Sequence, residues 1–501
     1  MQGVVGRLDR LACAGMSWRL SGGAAVVIAF LVAVVLGRPA SAETLEQALA
    51  DAYLINPVLN SERARLRAVD EQVAVAKSGL RPFISWNADT NYVNQNSGPD
   101  FRRSRNGTSS SANNAFTTGA ANVISGDGTS HPRGYTFALT QPLFEGFQNL
   151  NAVRQAKSTV QAARESLRTV EQTVLLDATT AYVNVVRDAA VVRLRENDVK
   201  VLTEQLKETK DRFDVGEVTR TDVAQAEARR SEALSTLAAA QANLKASRAA
   251  YEQIIGHPPG DLATPPSIKH LLPTTLDASM TLGDGENPII LAAVYQEEAS
   301  LYAVEQIEGE LLPTATLEAS FDDQFPGASG RADEIQTTTV TGRLNVPLYQ
   351  GGGVAARVRQ AKETNNQLKK EVEDARLRVH ADVITNWGIL QSSGPAIASA
   401  QSAVDANKIA LNGVREEEKV GQRTTLDVLD AQRELLNSQI TLVTALRDRV
   451  VAEYSLYAAI GRMDAQTLGL PVPYYDPIEH YDIVKNKWFG LRPPAPPAPD
   501  E

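Results

Sequence analysis

Residues 215–223 read VGEVTRTDV and residues 420–428 read VGQRTTLDV, so one unusual phrase occurs twice, 205 positions apart. In each copy a glycine is followed three positions later by a threonine, and an aspartate lies three positions beyond that. Glycine favours the end of a helix and threonine favours the start of one. Each phrase therefore predicts the corner between two helices.

The same offset relates other parts of the chain. It aligns Pro142 with Pro347, Tyr182 with Trp387, Asp222 with Asp427, Ala226 with Ala431 and Gly256 with Gly461. Earlier, Asn56-Pro57 aligns with Asn287-Pro288 at an offset of 231. The 26 extra residues fall between Pro82 and Pro142, in a polar segment rich in Gly, Ser and Asn that predicts a long exposed loop. These alignments predict two tandem structural repeats.

Each repeat contains two short segments in which apolar and polar residues alternate. They predict strands at about 82–93, 134–144, 313–323 and 335–348. After Pro82, for example, Ile84 and Trp86 fall on one face while Ser85 and Asn87 fall on the other. The length of these four segments and their alternation of apolar and polar residues fit transmembrane β-strands. Taken alone, the same segments would also fit hairpins of a soluble sheet.

Each repeat also contains two long helical segments. They are predicted at about 148–213, 220–255, 353–417 and 424–460. In the first, Val153, Val160, Leu167 and Val174 recur every seven residues, the spacing of packed antiparallel coiled coils. A helix of about 65 residues, like the first and third of these, is about 100 Å long at 1.5 Å per residue and must project from any compact domain.

The N-terminus predicts export. Three arginines precede an apolar run, and Ala40-Ser41-Ala42 then gives the small-x-small pattern of a signal-peptidase site. A start at Met1 or at Met16 fits this reading, and a retained membrane anchor is the weaker alternative because the run is short. The net charge of −10 disfavours a nucleic-acid binder. The mature chain would have no cysteine, because the single one is Cys13.

Enzymatic chemistry finds no support in the sequence. The five histidines, at 131, 257, 270, 380 and 480, show neither metal-ligand spacing nor a catalytic motif. We therefore predict no enzyme activity, no metal site and no cofactor. The predicted organisation is a signal peptide at 1–42, a first repeat at 43–256, an inter-repeat equatorial segment at 257–286, a second repeat at 287–461, and at 462–501 an equatorial segment with a disordered Pro-rich tail.

Paired repeats, four strands, four long helices and both tips together resemble the TolC family of outer-membrane efflux proteins, up to about Gly461. The resemblance implies an α+β membrane protein. Four transmembrane β-strands per chain would contribute to a trimeric 12-stranded β-barrel, continuous with a long periplasmic α-helical barrel. Four strands leave open edges, so the residues alone already call for an oligomer, but the number three comes from the resemblance.

The resemblance also implies a functional site at the tips. Thr221, Asp222 and Arg423 match the links that close the family's tunnel, with Glu418 where the best-known pattern has a tyrosine, and Asp427 and Asp430 match its two acidic rings. The residues that match the adaptor-contacting tips are Val215, Gly216, Thr219, Val420, Gly421 and Thr424. Without the resemblance, these positions would be solvated helix ends.

The function implied is an exit duct in the Gram-negative outer membrane, gated at the periplasmic tips. Its partners would be a periplasmic adaptor protein and an inner-membrane efflux pump or ABC transporter, with outer-membrane lipid around the barrel. Cargo stays open between drugs and secreted proteins, with a slight preference for multidrug efflux. The alternative from another class is a periplasmic or secreted coiled-coil scaffold without a channel.

Overall fold

The computed structural model describes residues 42–95, 128–325 and 334–494. The predicted signal peptide up to residue 41, most of the polar loop before Pro142 and the last seven residues of the Pro-rich tail lie outside these ranges. Among the described residues, no helix combines the length and the apolar character needed to cross a bilayer.

Helices make up most of the described chain. They are α1 (Leu45–Ile55), α2 (Pro57–Ser78), α3 (Gln148–Asp214), α4 (Arg220–Ile255), α5 (Leu276–Glu286), α6 (Pro288–Glu308), α7 (Gly353–Lys419), α8 (Thr425–Ala459) and α9 (Glu479–Val484). The two longest, α3 and α7, each have 67 residues. Each pairs with the helix that follows it, so that α3–α4 and α7–α8 form two long antiparallel hairpins.

The heptad positions explain why these helices pack. Val153, Val160, Leu167 and Val174 are all buried on α3, and Leu429, Leu436 and Tyr457 are buried on α8. Long helices in water need such a buried stripe, since their intrinsic propensity alone stabilises them little.

The strands are those of two hairpins and a small extension. They are β1 (Phe83–Thr90), β2 (Val93–Gln95), β3 (Gly128–Ser130), β4 (Arg133–Glu145), β5 (Thr314–Phe325) and β6 (Ile335–Asn345). The main sheet is antiparallel in the order β1-β4-β5-β6, and β2 pairs with β3 in a separate two-stranded sheet. The central β4–β5 pair therefore joins the two repeats, and β1 and β6 are the edges of the sheet.

The register repeats as the sequence does. Ile84 lies opposite Leu139 in the first hairpin, and Ala315 lies opposite Leu344 in the second. The offsets of 231 and 205 carry the first pair onto the second. The two hairpins are therefore built to one plan, with equivalent positions facing each other across the strands.

One face of the sheet is apolar and exposed. Trp86, Phe137 and Phe321 are cross-strand neighbours on it, as are Leu139 and Ala319. Of these, Trp86 is 64% and Phe137 49% exposed. The opposite face is polar: the Thr136 hydroxyl donates to Asp322 over 2.7 Å and Arg343 pairs with Glu318 over 3.2 Å. This division of faces follows from the alternation in the sequence.

The chain passes from β4 into α3, and from β6 into α7, through two consecutive residues with left-handed backbone conformation. Before α7 these are Gly351 and Gly352, with φ of 64° and 79°. Before α3 the pair is Gly146 and Phe147, with φ of 58° and 62°. Gly146 is also needed for space, because a Cβ there would overlap the Gly309 backbone. The two repeats thus meet closely at the base of the sheet.

The main core lies around the middle of the long helices. Tyr182, Tyr251 and Tyr457 are fully buried in it, with apolar residues from α1, α2 and α6. The Tyr182 hydroxyl lies within hydrogen-bonding distance of the carbonyl oxygens of Glu43 (2.8 Å) and Ala263 (2.7 Å), which holds the incoming chain and the inter-repeat segment against α3.

The predicted inter-repeat segment at 257–286 requires a correction. Its last eleven residues form α5, which lies 231 positions after α1 and has the same length. Thr275 caps it by accepting from the Ala278 N–H over 3.2 Å. The prolines of this segment indicate irregular chain, but all of them precede α5, in which Gly283 packs against Val379 and Val383. The helical part of the second repeat therefore begins at residue 276.

Candidate functional site at the helix tips

The two repeated phrases form the far ends of the two helical hairpins. Gly216 and Gly421 have φ of 81° and 76°, a conformation that ends α3 and α7 without Cβ strain. Thr219 and Thr424 are the caps of α4 and α8. The spacing that the two phrases share is therefore the spacing of the turn between two helices.

Asp222 and Asp427 complete a reciprocal cap in each tip. The Thr219 N–H and hydroxyl donate to Asp222 over 2.8 and 2.7 Å, and the Thr424 groups donate to Asp427 over 2.9 and 2.8 Å. The Asp N–H returns a 3.3 Å bond to the threonine in both tips. This capping box satisfies donors that a helix N-terminus otherwise leaves open.

The caps also set the charge of both carboxyl groups. The Thr219 hydroxyl and N–H hold the pKa of Asp222 below its usual value, and the Thr424 N–H and hydroxyl do the same for Asp427. Hydrogen bonds to a carboxylate favour its ionised form. Both tips therefore carry a negative charge at neutral pH.

Glu418 joins the two hairpins. It is buried, and its carboxylate accepts from the Arg212 guanidinium of α3 and from the Thr425 hydroxyl of α8, each over 3.1 Å. The same guanidinium also reaches Glu217 over 3.3 Å. Glu418 is the last of three consecutive glutamates at 416–418, which we call the acidic run. Its bond to Arg212 joins the two hairpins, and we call this bond the Glu418 tie.

The remainder of the acidic run is solvent-facing and locally paired. Glu416 pairs with Lys419 over 2.7 Å, and Glu417 accepts from Arg423 over 2.9 Å. The Glu417 bond raises the pKa of Arg423. Thr221 is exposed on the first turn of α4. Within the protomer, then, Arg423 is bound at its own tip, and Asp222 is held by Thr219.

Asp430 is the second carboxylate expected at the constriction, and it is already paired. Arg229 of α4 reaches it over 2.8 Å, and Arg433 over 3.3 Å. The Arg229 bond links α4 to α8 one turn behind the tips. Asp427, in contrast, accepts its hydrogen bonds from the N–H and hydroxyl of Thr424, and the nearby Arg423 charge also acts on it.

Two functional candidates, Arg212 and Arg229, were missed from the sequence. Each lies on a long amphipathic helix where arginine usually marks the solvated face. Their carboxylate partners lie 206 and 201 residues further along the chain. The only signal available was the repeat itself, which places the two hairpins side by side.

The tips expose apolar side chains as well. Val215 and Val420 occupy equivalent positions and are 73% and 70% exposed. Away from the tips, Glu43, Asp51 and His257 bring three possible metal-ligand atoms within 4.8 Å of one another. The His257 Nε2 lies 3.3 Å from Asp51 and 3.5 Å from Glu43. Sequence spacing did not predict this cluster, because its members lie far apart in the chain.

Comparison with known proteins identifies the family over most of the chain. A family model described as outer membrane efflux protein matches residues 48–257 and 284–462. The outer membrane efflux protein BepC of Brucella suis is 41% identical over 461 residues, covering 92% of this chain and 94% of BepC. The outer membrane protein TolC of Escherichia coli is 26% identical over 440 residues, covering 85% and 84%.

The solved structures agree on the fold. The Campylobacter jejuni CmeC outer membrane channel superposes with a TM-score of 0.73 at 14% identity, covering 89% of both chains. The likeness is one of fold, an α-helical barrel continuous with a β-barrel. These matches support the channel and give no support to a soluble scaffold. The chain therefore belongs to the outer membrane efflux protein family, as an export channel of the Gram-negative outer membrane and not an enzyme.

Proposed function

We propose that three copies of the chain form one exit duct, gated at the helix tips and opened by a periplasmic adaptor. The observation that carries the proposal is the four-stranded sheet with one exposed and largely apolar face and with β1 and β6 as its edges. In lipid such edges must be paired, because unsatisfied backbone groups cost several kcal/mol each. Closure by further copies supplies the missing partners.

The internal repeat indicates how the copies would join. The β4–β5 pair joins one repeat to the next within the chain, with Leu139 opposite Ala319. Adding the offset of 205 to Leu139 gives Leu344 on β6, and subtracting the offset of 231 from Ala319 gives Ala88 on β1. We propose that β6 of one copy pairs with β1 of the next in this register, since both repeats otherwise follow one plan.

The Glu418 tie is the proposed intramolecular part of the gate. It links α3 to α7, so the two hairpins cannot separate at their tips while it holds. Hydrogen bonds between charged groups contribute roughly 1.5–3 kcal/mol when one partner is buried. Thr221, Asp222 and Arg423 lie on the exposed faces of the tips, where they would supply further links between neighbouring copies.

The constriction is proposed at Asp427 and Asp430. Three copies would place a ring of Asp427 carboxylates around a narrow passage, and such a ring favours cations. Because Asp430 is paired with Arg229 and Arg433, its contribution to cation selectivity would be the smaller one.

The adaptor is proposed to contact the tips. Exposed valines flanking a glycine turn present a small apolar surface, and burial of such a surface favours association. The six residues concerned are Val215, Gly216, Thr219, Val420, Gly421 and Thr424. An inner-membrane efflux pump or ABC transporter would deliver the cargo. The similarity to BepC, an efflux protein by name, favours small molecules over secreted proteins.

Planar-bilayer recording of the purified full chain tests the duct. We expect small cation-selective steps for the unchanged protein and larger steps for Glu418→Ala, in which the tie is lost. Glu416→Ala is the matched control, because Glu416 lies on the same turn and, among the residues that the structure describes, forms an ion pair with Lys419 alone. No insertion, or equal steps in all three proteins, would contradict the proposal. Drug susceptibility and the secreted proteome of a deletion strain would then separate the two cargo classes.

A further inference from the structure

The C-terminal residues 475–492, which we call the strap, run along α2 towards the membrane end of the molecule. Four contacts mark the route: Tyr475 with Tyr53, His480 with Asp70, Asn486 with Lys77, and Lys487 with Arg81. The partners advance along the chain from α1 to the residue two positions before β1. The strap therefore connects the middle of the helical part with the base of the sheet.

The strap is firmly bound along this route. His480 Nδ1 lies 3.0 Å from a carboxylate oxygen of Asp70, and both side chains are buried. Val484 is also buried. Arg81 donates to the Lys487 carbonyl over 2.9 Å. The position of the strap's end is thus set by contacts along α2 and with Arg81, just beyond it.

The end of the strap presents apolar side chains to the outside. The Arg81 guanidinium lies 4.5 Å from the ring centroid of Trp488, and the rest of that ring is exposed. Phe489 is 86% exposed, and Leu491 is fully exposed. Three large apolar side chains within four residues are costly in water unless something covers them. They lie at the level at which β1 begins its exposed apolar face.

Cations surround this apolar end, although the whole chain is acidic. They are Lys77, Arg81, Lys157, Lys485, Lys487 and Arg492. Burial, together with the charges of Lys157, Arg81 and Lys485, lowers the pKa of Lys77, as expected where like charges gather. Asp482 offsets one of them, through its 2.7 Å bond to Lys485. The net local charge remains positive in a chain whose formal net charge is −10.

We propose that Trp488, Phe489 and Leu491 insert into the periplasmic leaflet of the outer membrane, while the surrounding lysines and arginines bind anionic phospholipid headgroups. Aromatic side chains favour the boundary between hydrocarbon and water, and basic clusters beside them are attracted to anionic lipid. The site is continuous with the lipid-facing side of the sheet. The inference rests on insertion of that sheet into the membrane, and it adds a second, non-barrel contact with lipid.

Spin labelling of the full chain in lipid nanodiscs tests the inference. Cys13→Ala removes the only cysteine, and Phe489→Cys then carries a single nitroxide. The measurement is the ratio of collisions with oxygen, which enriches in lipid, to collisions with a water-soluble nickel chelate. Val340→Cys, on the apolar face of β6, reports lipid, and Ile409→Cys, exposed on α7, reports water.

We expect the label at 489 to give a ratio several-fold above that at 409 and near that at 340. The ratio should fall when phosphatidylglycerol is replaced by phosphatidylcholine, and in the Lys77→Gln/Arg81→Gln background. A ratio equal to that at 409 would overturn the inference, and protection from both reagents would do so by showing that protein covers the strap. A water-like label at 340 would overturn membrane insertion of the sheet as well, so the two failures are distinguishable.

Discussion

Asp427 and Asp222 occupy equivalent capping boxes, and this duplication provides an internal control at the scale of single residues. Asp427→Asn is expected to reduce cation selectivity, measured as the reversal potential in a KCl gradient, whereas Asp222→Asn should leave it nearly unchanged. Both lose the same capping carboxylate. Equal losses of selectivity in the two variants would instead assign the effect to tip unfolding.

The same carboxylate predicts a pH dependence. The folded-state pKa of Asp427 is depressed below the ordinary value of 3.8, so the cap's contribution to stability is present above that value and is lost as pH falls through the folded pKa. Because that folded pKa lies below 3.8, cation selectivity due to Asp427 is expected to persist from pH 7 down to pH 3.8 and to be lost only as the pH falls further. Reversal potentials across that range check this, and loss of selectivity near pH 6 would point to a different group.

The Glu418 tie yields a second residue-scale prediction. Arg212→Met and Glu418→Ala should each raise the open fraction of the channel by roughly 10- to 100-fold, since every 1.4 kcal/mol is tenfold. The double variant should add little, because both changes break one bond. Single-channel open probability is the measurement. Additive effects of the two changes would show that the tie is not one interaction.

Among the elements, α7 contains Pro395 in its interior, where α3 has Ala190 at the equivalent offset. Proline removes a helix hydrogen bond and clashes with the preceding turn. Amide exchange is therefore expected to be faster at 391–398 of α7 than at 186–193 of α3. Pro395→Ala should abolish the difference in a hydrogen-exchange measurement. Equal exchange rates in the unchanged protein would refute the prediction.

The elements themselves were largely predictable. The strands and long helices lie within a few residues of the predicted bounds, because period-2 and period-7 patterns reflect burial directly. The prolines of segment 257–286 obscured α5, since Pro-rich sequence indicates irregular chain, and α9 is too short for a periodic signal. At the tips the capping residues were readable from local spacing, whereas Arg212 and Arg229 were not, because their partners come from another part of the chain.

At the scale of the whole molecule, the repeat predicts the contact between copies. Leu344→Cys with Ala88→Cys, on a Cys13→Ala background, is expected to crosslink neighbouring copies under mild oxidation. The pair corresponds to Leu139 opposite Ala319 within the chain. Leu344→Cys with Ile84→Cys is the control, because Ile84 is displaced four residues along β1. A ladder ending at three chains on a denaturing gel would give the copy number, and crosslinking by the control alone would refute the register.

The free edges of β1 and β6 also have a genetic consequence. A chain with intact edges and a damaged tip should assemble together with normal chains. If the two kinds of chain are equally abundant and three copies mix at random, roughly an eighth of the ducts would contain normal chains alone. Tip variants are therefore expected to be dominant over the normal allele. A chain with a broken edge cannot join, so its allele should be recessive. Co-expression of each with the normal gene, scored by drug susceptibility, distinguishes the two inheritance patterns.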